Sequence, residues 1–349
     1  MAGVDRTGLL ADVLKLLTIN GCDVRSAAVW TYSGRVAFVV SVVEGCGQQP
    51  VRDASKLHRL KQLLHQMMDA FGNGIVSAQP VKGLIHYERR LHQLMLKEEE
   101  KEWIRNKEAI LLRAGIYSPA SIRPDVTIQH YSHLNYWLVT IRCKDRNKLF
   151  FDTVCTLSDL NYDVYHGAID SEGEIAIQLY YIRPRFGDFF WDSVKATKLR
   201  VMLEAAIQRR FPKGLKVRSR AVLRASRLCD LTAAWKDAGL WITRAKVRAY
   251  GDHGHTLYVM DRDGQPPDPR KVQSACQAGG GKLQGPQDGL PLGVSPSTVN
   301  VLGTAAAAVG SKAAQQGEAG VVVPGAGAKF FYMLQQRVWD GSPSSFTSL

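Results

Sequence analysis

The chain has 349 residues, of which 45% are hydrophobic, and no apolar run in it is long enough to span a bilayer. This composition favours a string of modules of about 70 to 90 residues with two or three small cores, and argues against one large enzyme core. The net charge of +13 lies largely on predicted helix surfaces and in a linker, which favours solvated faces over nucleic-acid binding.

The first predicted unit opens with a loop at Asp5. Apolar residues then recur at helical spacing up to Asn20-Gly21, a pair that suits the end of a helix. Two strands follow as a hairpin at residues 23–30 and 36–43, and then come a second helix and a closing strand at residues 74–81. The order is β-α-β-β-α-β, which predicts an α+β fold with an open antiparallel sheet and two helices on one face.

Residues 1–4 leave too little room for a complete first strand. An edge strand missing from a small sheet would leave backbone donors and acceptors exposed. We therefore expect the chain to be an N-terminally incomplete version of a longer one.

Residues 84–124 are highly charged and strongly helix-forming, with only a broken apolar stripe. This pattern predicts a connecting helix or an ordered arm that lies across a module. The histidines His86 and His92 of this segment, like His58 and His65 of the preceding helix, are expected on solvated helix faces.

The first unit recurs about 140 positions further along the chain without a gap. In this second copy, the positions of Asp5, Arg6, Leu9 and Asp12 are occupied by Asp145, Arg146, Leu149 and Asp152. Its first helix is expected to end near Asn161, and a strand at residues 214–222 is expected to close it.

A third copy follows at an offset of about 218 positions from the first. Its helix, turn and strand are repeated, but its loop has decayed, since Leu223 replaces the aspartate and Ser226 replaces the glycine. Its second helix is expected to be short, at residues 269–277.

The chain therefore divides into three modules, a linker and a tail. The predicted boundaries are 1–83 for the first module, 84–124 for the linker, 125–213 for the second module, 214–284 for the degenerate third and 285–349 for the tail. The tail is rich in Gly, Ala, Pro and Ser and is expected to be disordered. Its apolar segment at residues 330–339 is expected to dock as a short helix, to bind a partner or to be the sticky end of a variable tail.

The repeated loop has a chemistry that suits a small zwitterion. The start of a helix presents unpaired N–H groups and a partial positive charge, which suit a carboxylate, while Asp5 or Asp145 could take an ammonium group. Gly8 permits close backbone approach in the first copy, and Lys148 adds a cation in the second. Together these groups predict recognition of an α-amino acid.

The loop also has a purely structural interpretation. An aspartate ahead of a helix is an ordinary cap, worth about 1 kcal/mol. Arg6 and Arg146 could simply pair with neighbouring carboxylates. Spacing alone favours the cap over the ligand loop.

The three-fold unit resembles the ACT-domain-repeat proteins of plants and green algae, usually called the ACR family. The resemblance rests on A-A-V-W-T-Y-S-G-R-V-A at residues 27–37, H-Y-E-R-R-L-H-Q-L-M at 86–95, V-T-I-R-C-K-D-R-N-K-L-F-F-D-T-V-C-T-L at 139–157 and W-I-T-R-A-K-V at 241–247. It covers about residues 4–262, and the long central string is the most specific part.

The resemblance implies ferredoxin-like β-α-β-β-α-β ACT modules that pair side by side, hold an amino acid near their interface, and sense or regulate without catalysis. The ligand loops implied in this way are Asp5, Arg6, Gly8 and Leu9 in the first copy and Asp145, Arg146, Lys148 and Leu149 in the second. Asn147 stands where the family has a proline, so the second loop is expected to be less rigid.

Two other classes of function remain open. One is that the chain is the regulatory part of a larger enzyme whose catalytic region is missing, since ACT tandems regulate catalytic domains in bacterial uridylyltransferases. The chain itself has no phosphate-binding loop, dinucleotide fingerprint or H-E-x-x-H motif. The same strand order occurs in RNA-recognition modules, which stack bases on strand aromatics. The candidates here are Phe38, Tyr180 and Tyr181, and they lack the usual aromatic string.

We therefore expect no catalytic residue, no metal and no cofactor, with a free amino acid as regulatory ligand. The expected partners are a second ACT module, in the same chain or in a homo-oligomer, and a protein that is not identified; neither nucleic acid nor a membrane is expected. The six cysteines are scattered without a C-x-x-C pair, which favours a reducing compartment. A soluble protein of the cytoplasm, nucleus or plastid is predicted.

Overall fold

The computed structural model describes residues 1–45, 49–69, 74–80, 85–113, 124–187, 190–219, 225–248 and 255–279. The predicted tail at 285–349, with its segment at 330–339, lies outside these residues, and so does Leu223 of the decayed third loop.

The copies form their expected helices and most of their expected strands. The first contains β1 (Ala2–Val4), α1 (Leu9–Ile19), β2 (Cys22–Tyr32), β3 (Arg35–Glu44) and α2 (Ala54–Met68). The linker is a long helical segment, α3 (Tyr87–Arg113), which is kinked at Asn106. The second copy contains β4 (Asp125–Tyr131), β5 (Tyr136–Lys144), α4 (Leu149–Asp159), β6 (Tyr162–Glu172), β7 (Ile175–Pro184) and α5 (Ser193–Gln208). The third contains β8 (Leu215–Ser219), α6 (Ala225–Asp237), β9 (Trp241–Arg248), β10 (His255–Met260) and α7 (Pro269–Ala278).

The first helix of each of the first two copies ends as its sequence predicts. Gly21 follows α1 with φ of 68°, and Asn161 follows α4 with φ of 63°. Glycine and asparagine tolerate this left-handed conformation better than other residues do. The chain can therefore reverse into the strand that follows each helix.

The strands form two antiparallel sheets. The first and third copies share a six-stranded sheet in the order β1-β3-β2-β9-β10-β8, joined where β2 pairs with β9. The second copy forms a four-stranded sheet in the order β4-β5-β7-β6. The predicted α+β class of tandem ferredoxin-like modules is confirmed.

The strand expected to close the second copy, at residues 214–222, was assigned to the wrong sheet. The described part of this range contains β8, which pairs with β10 of the third copy. The edge beside β5 is filled instead by β4, which pairs with β5 from Asp125 opposite Arg142 to Tyr131 opposite Tyr136. A short hairpin closes with less loss of chain entropy than a strand that returns after two helices, so β4 occupies that edge.

The first strand is present but short. β1 pairs with β3 over three residues, from Ala2 opposite Ala37 to Val4 opposite Arg35. From the predicted closing strand at 74–81, Ile75 exchanges two hydrogen bonds of 2.8 Å with Ala2. This bridge extends the outer edge of the six-stranded sheet by one residue pair.

The linker helix α3 is buried on two sides. Leu91, Leu94 and Met95 pack against Trp30 and Ala37 on the sheet face opposite α1. Further along α3, Leu96 and Trp103 pack against Met202 of α5. The broken apolar stripe therefore reflects a helix sandwiched between the first and second modules, as the arm interpretation predicts.

One prediction about this helix is wrong. His92 is fully buried, whereas His58, His65 and His86 lie on exposed surface as expected. The residues around His92 are drawn from α4, which the sequence of α3 alone does not show.

Candidate ligand-binding site

The first predicted loop, Asp5 to Leu9, joins β1 to α1. Gly8 is the residue before the helix and has φ of 78°, in the left-handed region. Lys148 takes the same position and conformation ahead of α4, with φ of 65°. No side chain makes a capping hydrogen bond at either helix start, so the interpretation of Asp5 and Asp145 as helix caps is wrong.

The loop lies at the junction of the first and third modules. A narrow cleft, with room for about one water molecule in this conformation, is lined by all four predicted residues, Asp5, Arg6, Gly8 and Leu9. The third module contributes the opposite wall through Thr232 and Lys236 of α6 and through Leu240, Trp241 and Ile242. Apolar side chains of β2 and β3, Val29 and Phe38, line the cleft between them.

Asp5 is the acidic group of this cleft. Its Oδ2 accepts a hydrogen bond of 3.1 Å from the indole N–H of Trp241. Burial raises the pKa of Asp5 to about 7, against the opposing effects of the Arg6 backbone N–H, Trp241 and the Arg6 charge. A cation placed beside Asp5 would offset this burial and favour the ionised carboxylate.

Two cations hold Asp12 at the edge of the cleft. Arg6 donates to its Oδ2 at 2.6 Å, and Lys236 donates to its Oδ1 at 2.8 Å. Although burial acts to raise the pKa of Asp12, the hydrogen bonds from Lys236 and Arg6 outweigh burial and hold that pKa below its usual range. The Arg6 pairing matches the structural interpretation, and the Lys236 pairing ties α6 to α1.

The start of α1 supplies the complementary polarity. The first N–H groups of a helix have no partner within it, and they lie at the positive end of the helix dipole. Those of Leu10 and Ala11 belong to residues that line the cleft beside Gly8. The cleft therefore combines a site for an anion with a carboxylate for a cation.

The stem of Lys236 covers Gly8. A Cβ built on Gly8 would come within 2.4 Å of the Lys236 Cδ. Any ligand that reaches the first N–H groups of α1 must displace this flexible side chain.

Replacing Gly8 by alanine is expected to lower the free energy of unfolding by about 1 to 2 kcal/mol, because a left-handed conformation costs an L-residue about this much. Chemical denaturation of both proteins measures the difference. Gly34→Ala is a useful comparison, because Gly34 also has positive φ, 71°, but a Cβ there meets nothing within 4 Å. A Gly8→Ala variant as stable as the wild type would contradict the assigned backbone conformation.

The second predicted loop has a different environment. Asp145 is exposed, and its Oδ1 accepts a hydrogen bond of 2.7 Å from the Arg146 backbone N–H. Arg146 pairs with the buried Asp152 at 2.9 Å, and Lys148 pairs with Glu88 of α3. Leu149 is buried at the start of α4.

Arg210 completes the charge network of the second loop. Its guanidinium donates to both carboxylate oxygens of Asp152, at 2.8 to 3.0 Å, and to Glu88 at 3.2 Å. It also lies over the Trp30 ring, 4.4 Å from the centroid. The cations and carboxylates around this loop are therefore engaged with the linker helix and the first module.

Sequence reasoning missed Trp241 and Lys236. Both come from the degenerate third copy, whose own loop lacks the aspartate and the glycine. Their role depends on the pairing of β2 with β9, which no local pattern reveals.

Among the described residues, no group of three His, Cys, Asp or Glu side chains is placed to hold a metal ion. No helix in the same part of the chain is both long enough and apolar enough to cross a membrane.

The chain is similar to three curated proteins of Arabidopsis thaliana, each described as an ACT domain-containing protein. It is 35% identical to ACR4 over 282 residues, 33% identical to ACR5 over 285 residues, and 34% identical to ACR6 over 280 residues. Each match covers 79% of this chain and 61 to 62% of the relative, so the chain spans about three fifths of the length of these proteins.

No protein-family model and no solved structure matches the chain. The relatives are named for their ACT domains and not for an enzymatic activity. The repeats, the ferredoxin-like modules and these similarities agree with the resemblance seen in the sequence. The chain belongs to the ACR-type family of ACT-domain-repeat proteins.

Proposed function

We propose that this regulatory ACT-repeat protein acts without catalysis or a cofactor, by binding a free amino acid between its first and third modules. The observation that carries the proposal is the half-buried carboxylate of Asp5, which shares a cleft with the N-terminus of α1. The ligand ammonium would pair with Asp5, and the ligand carboxylate would accept from the first N–H groups of the helix.

Charge balance supports this orientation. Burial disfavours the ionised form of Asp5, and a ligand ammonium beside the carboxylate would compensate for that cost. The ion pair would form where water is partly excluded. Lys236 would swing from Asp12 towards the ligand carboxylate and uncover Gly8. The apolar side chains of Val29, Phe38 and Ile242 would face the ligand side chain.

The cleft also offers a route from ligand to signal. Its walls belong to two modules, and Asp12 on α1 is held by Lys236 on α6. A ligand that exchanges this ion pair for its own contacts would change how strongly the two modules are tied. A protein partner that reads the junction would then respond to the amino acid concentration.

Two of the three strand aromatics that RNA binding would use are buried, and the third, Tyr181, is partly buried. Phe38 and Tyr180 are 1% and 0% exposed, so neither can stack on a base without unfolding a module. No further observation favours that function.

Replacing Asp5 by asparagine is expected to weaken amino-acid binding at least about tenfold, because the variant lacks the charge that pairs with the ammonium. Isothermal titration calorimetry against the twenty common amino acids, with Gln and the branched-chain ones first, measures this effect. Asp145→Asn is the matched control, since Asp145 is exposed in a loop of the same kind. Wild-type protein that binds no amino acid, or equal loss in both variants, would contradict the proposal.

Binding is also expected to release protons near neutral pH. Free Asp5 has a pKa of about 7, so it is about half protonated at that pH, and an ammonium ligand selects the ionised form. The affinity should therefore fall up to about tenfold for each pH unit below 7, with less than one proton released per ligand at neutral pH. Calorimetry in two buffers of different ionisation enthalpy measures the release.

Asp5→Asn should show no such proton release in whatever binding remains. Release that persists in this variant would assign the titration to another group and would contradict the role of Asp5.

A further inference from the structure

The sheet of the third module carries a concentration of positive charge. Its strands β8, β9 and β10 contain no aspartate or glutamate. Their lysines and arginines are Lys216, Arg218, Arg244, Lys246 and Arg248. The net positive charge of the chain is therefore not carried by helix surfaces and the linker alone.

These cations lie on one face of the sheet. The residues that alternate with them are buried in the core beside α6 and α7, and they are Leu215, Val217, Ala245, Val247, Leu257 and Val259. Because side chains alternate between the two faces of a strand, the cations lie on the opposite face, together with Thr256 and Tyr258 of β10. We call this surface of cations and hydroxyl groups the basic face.

Strand pairing arranges the basic face in rows. Two rows cross β8, β10 and β9 in that order, Lys216, Tyr258 and Arg244 in the first and Arg218, Thr256 and Lys246 in the second. From strand geometry, the four cations of these rows mark a patch of about 10 Å by about 7 Å, with a hydroxyl group in the middle of each row. Arg248 extends the patch along β9.

No acidic side chain balances the basic face within the described part of the chain. Arg218, Lys246 and Arg248 are exposed, and Lys216 and Arg244 are partly buried. None of the five forms an ion pair with a described carboxylate. Protein surfaces normally intersperse charges of both signs, so a face of one sign indicates an acidic partner.

The cations of the basic face also repel one another and their neighbours. Burial and the charge of Arg218 lower the pKa of Lys216. Burial and the charge of Arg210 lower the pKa of Arg244 to about 10, against opposing effects that include two carboxylates already paired with Arg210. An anion brought to the basic face would relieve this repulsion.

The chemistry of the basic face favours an acidic protein segment over nucleic acid. Proteins that bind single strands stack successive bases on several aromatic rings. Trp30, which lies opposite Arg244, is 4% exposed, and the guanidinium groups of Arg210 and Arg244 lie over its ring, 4.4 and 4.8 Å from the centroid. Tyr258 is therefore left as the aromatic side chain of the basic face, too few for a stacking platform.

An extended acidic peptide matches the spacing of the cations. Carboxylates at alternate positions of such a peptide are about 7 Å apart, as are Arg244, Lys246 and Arg248 along β9. We propose that the basic face binds an extended acidic segment of a partner protein, in which Asp or Glu at alternate positions pairs with these three cations. The hydroxyl groups of Thr256 and Tyr258 would donate further hydrogen bonds to its carboxylates.

The interaction does not depend on amino-acid binding at the Asp5 cleft. Either proposal can therefore fail without the other, and the tests of the basic face are made without added amino acid.

Fluorescence anisotropy of a labelled peptide of alternating Glu and Ser, titrated with the full chain, tests the proposal. Wild-type protein is expected to bind the peptide, with an affinity that falls as salt is added, because the ion pairs are exposed. Lys246→Glu is expected to raise the dissociation constant at least about tenfold, since it reverses the charge in the middle of the basic face. A wild type that does not bind the peptide overturns the proposal.

Lys61→Glu is the matched control. Lys61 is exposed on α2, and its replacement changes the net charge of the chain by the same amount. It should leave the affinity for the peptide within about twofold of the wild type. Equal weakening by Lys61→Glu and Lys246→Glu would reflect net charge alone and overturns the assignment to the basic face.

Oligouridine distinguishes a protein partner from RNA. We expect it to bind more weakly than the Glu-Ser peptide at the same salt concentration. Oligouridine that binds more tightly than the peptide, and is released by Lys246→Glu, would assign the basic face to RNA and overturns the proposed protein partner.

Carbodiimide cross-linking locates the bound peptide. The reagent joins a glutamate of the peptide to a lysine in direct contact with it, and the basic face offers Lys216 and Lys246. Mass spectrometry of the wild-type complex should find the peptide on these two lysines and not on Lys61. Cross-links confined to lysines outside the basic face overturn the proposal.

Discussion

Replacing Arg209 by methionine is expected to lower the free energy of unfolding by about 3 to 5 kcal/mol, the usual cost of removing one partner of a buried ion pair. The Arg209 side chain is 0% exposed, and its Nη1 donates to both carboxylate oxygens of Glu99 at 2.7 and 2.5 Å. Burial raises the pKa of Glu99, and the charge and hydrogen bonds of Arg209 oppose that rise. Without Arg209, the carboxylate of α3 would be left buried and unpaired.

The matched test is the double variant Glu99→Met/Arg209→Met. The Nε and Nη2 groups of Arg209 have no hydrogen-bond partner among the described residues, so the pair does not recover all of its desolvation cost. Urea denaturation should therefore place the double variant close to the wild type and well above the single variant. Equal destabilisation of both variants would contradict this account of the pair.

The second large effect is acid destabilisation through His92. Its ring is fully buried, and its Nε2 lies 3.3 Å from both the Asp152 carbonyl oxygen and the Thr156 hydroxyl. Burial lowers the pKa of His92 from 6.5 to about 4. Asp159 opposes this change, but its carboxylate is 3.7 Å from Nδ1, too far for a strong hydrogen bond.

Because the folded-state pKa is depressed, the unfolded chain takes up the proton first as the pH falls. Stability is therefore present above about pH 6.5 and is lost as the pH falls towards 4. The contribution to this loss between about pH 7.5 and about pH 5 is about 2 kcal/mol. Urea denaturation at both pH values should show a smaller loss in His92→Gln than in the wild type.

His58→Gln is the control for this pH effect. His58 is exposed on α2, and its replacement should leave the pH dependence of stability unchanged. If His92→Gln lost as much stability on acidification as the wild type, the acid sensitivity would belong to other groups.

Local patterns of the sequence predicted the elements well. Apolar periodicity and the Asn-Gly and Asn signals placed the helices of the first two copies, and the short last helix, expected at residues 269–277, is Pro269–Ala278. These features depend on neighbours within a few residues, so they can be read along the chain. The candidate loop could be located in the same way, because its aspartate and glycine stand directly before the first helix.

The arrangement of the modules could not be predicted in this way. Which edge strands pair depends on surfaces more than two hundred positions apart, so the contributions of Trp241 and Lys236 stayed hidden. The many charges of α3 suggested an exposed helix. In the structure, glutamates such as Glu99 are paired with arginines from another module, so the helix can be buried. The hairpin of β4 and β5 was not predicted, because both β4 and the later segment that contains β8 could fill the edge beside β5.

The junction of β2 with β9 carries a consequence for biosynthesis. β2 ends at Tyr32 and β9 begins at Trp241, so about two hundred residues must be added before the two strands can meet. At ribosomal speeds of about 5 to 20 residues per second, the edge of β2 that pairs with β9 stays unpaired for about 10 to 40 s. If synthesis stopped in this interval, the incomplete chain would keep an unpaired edge strand that can pair with other chains. We therefore expect such incomplete chains to bind chaperones preferentially.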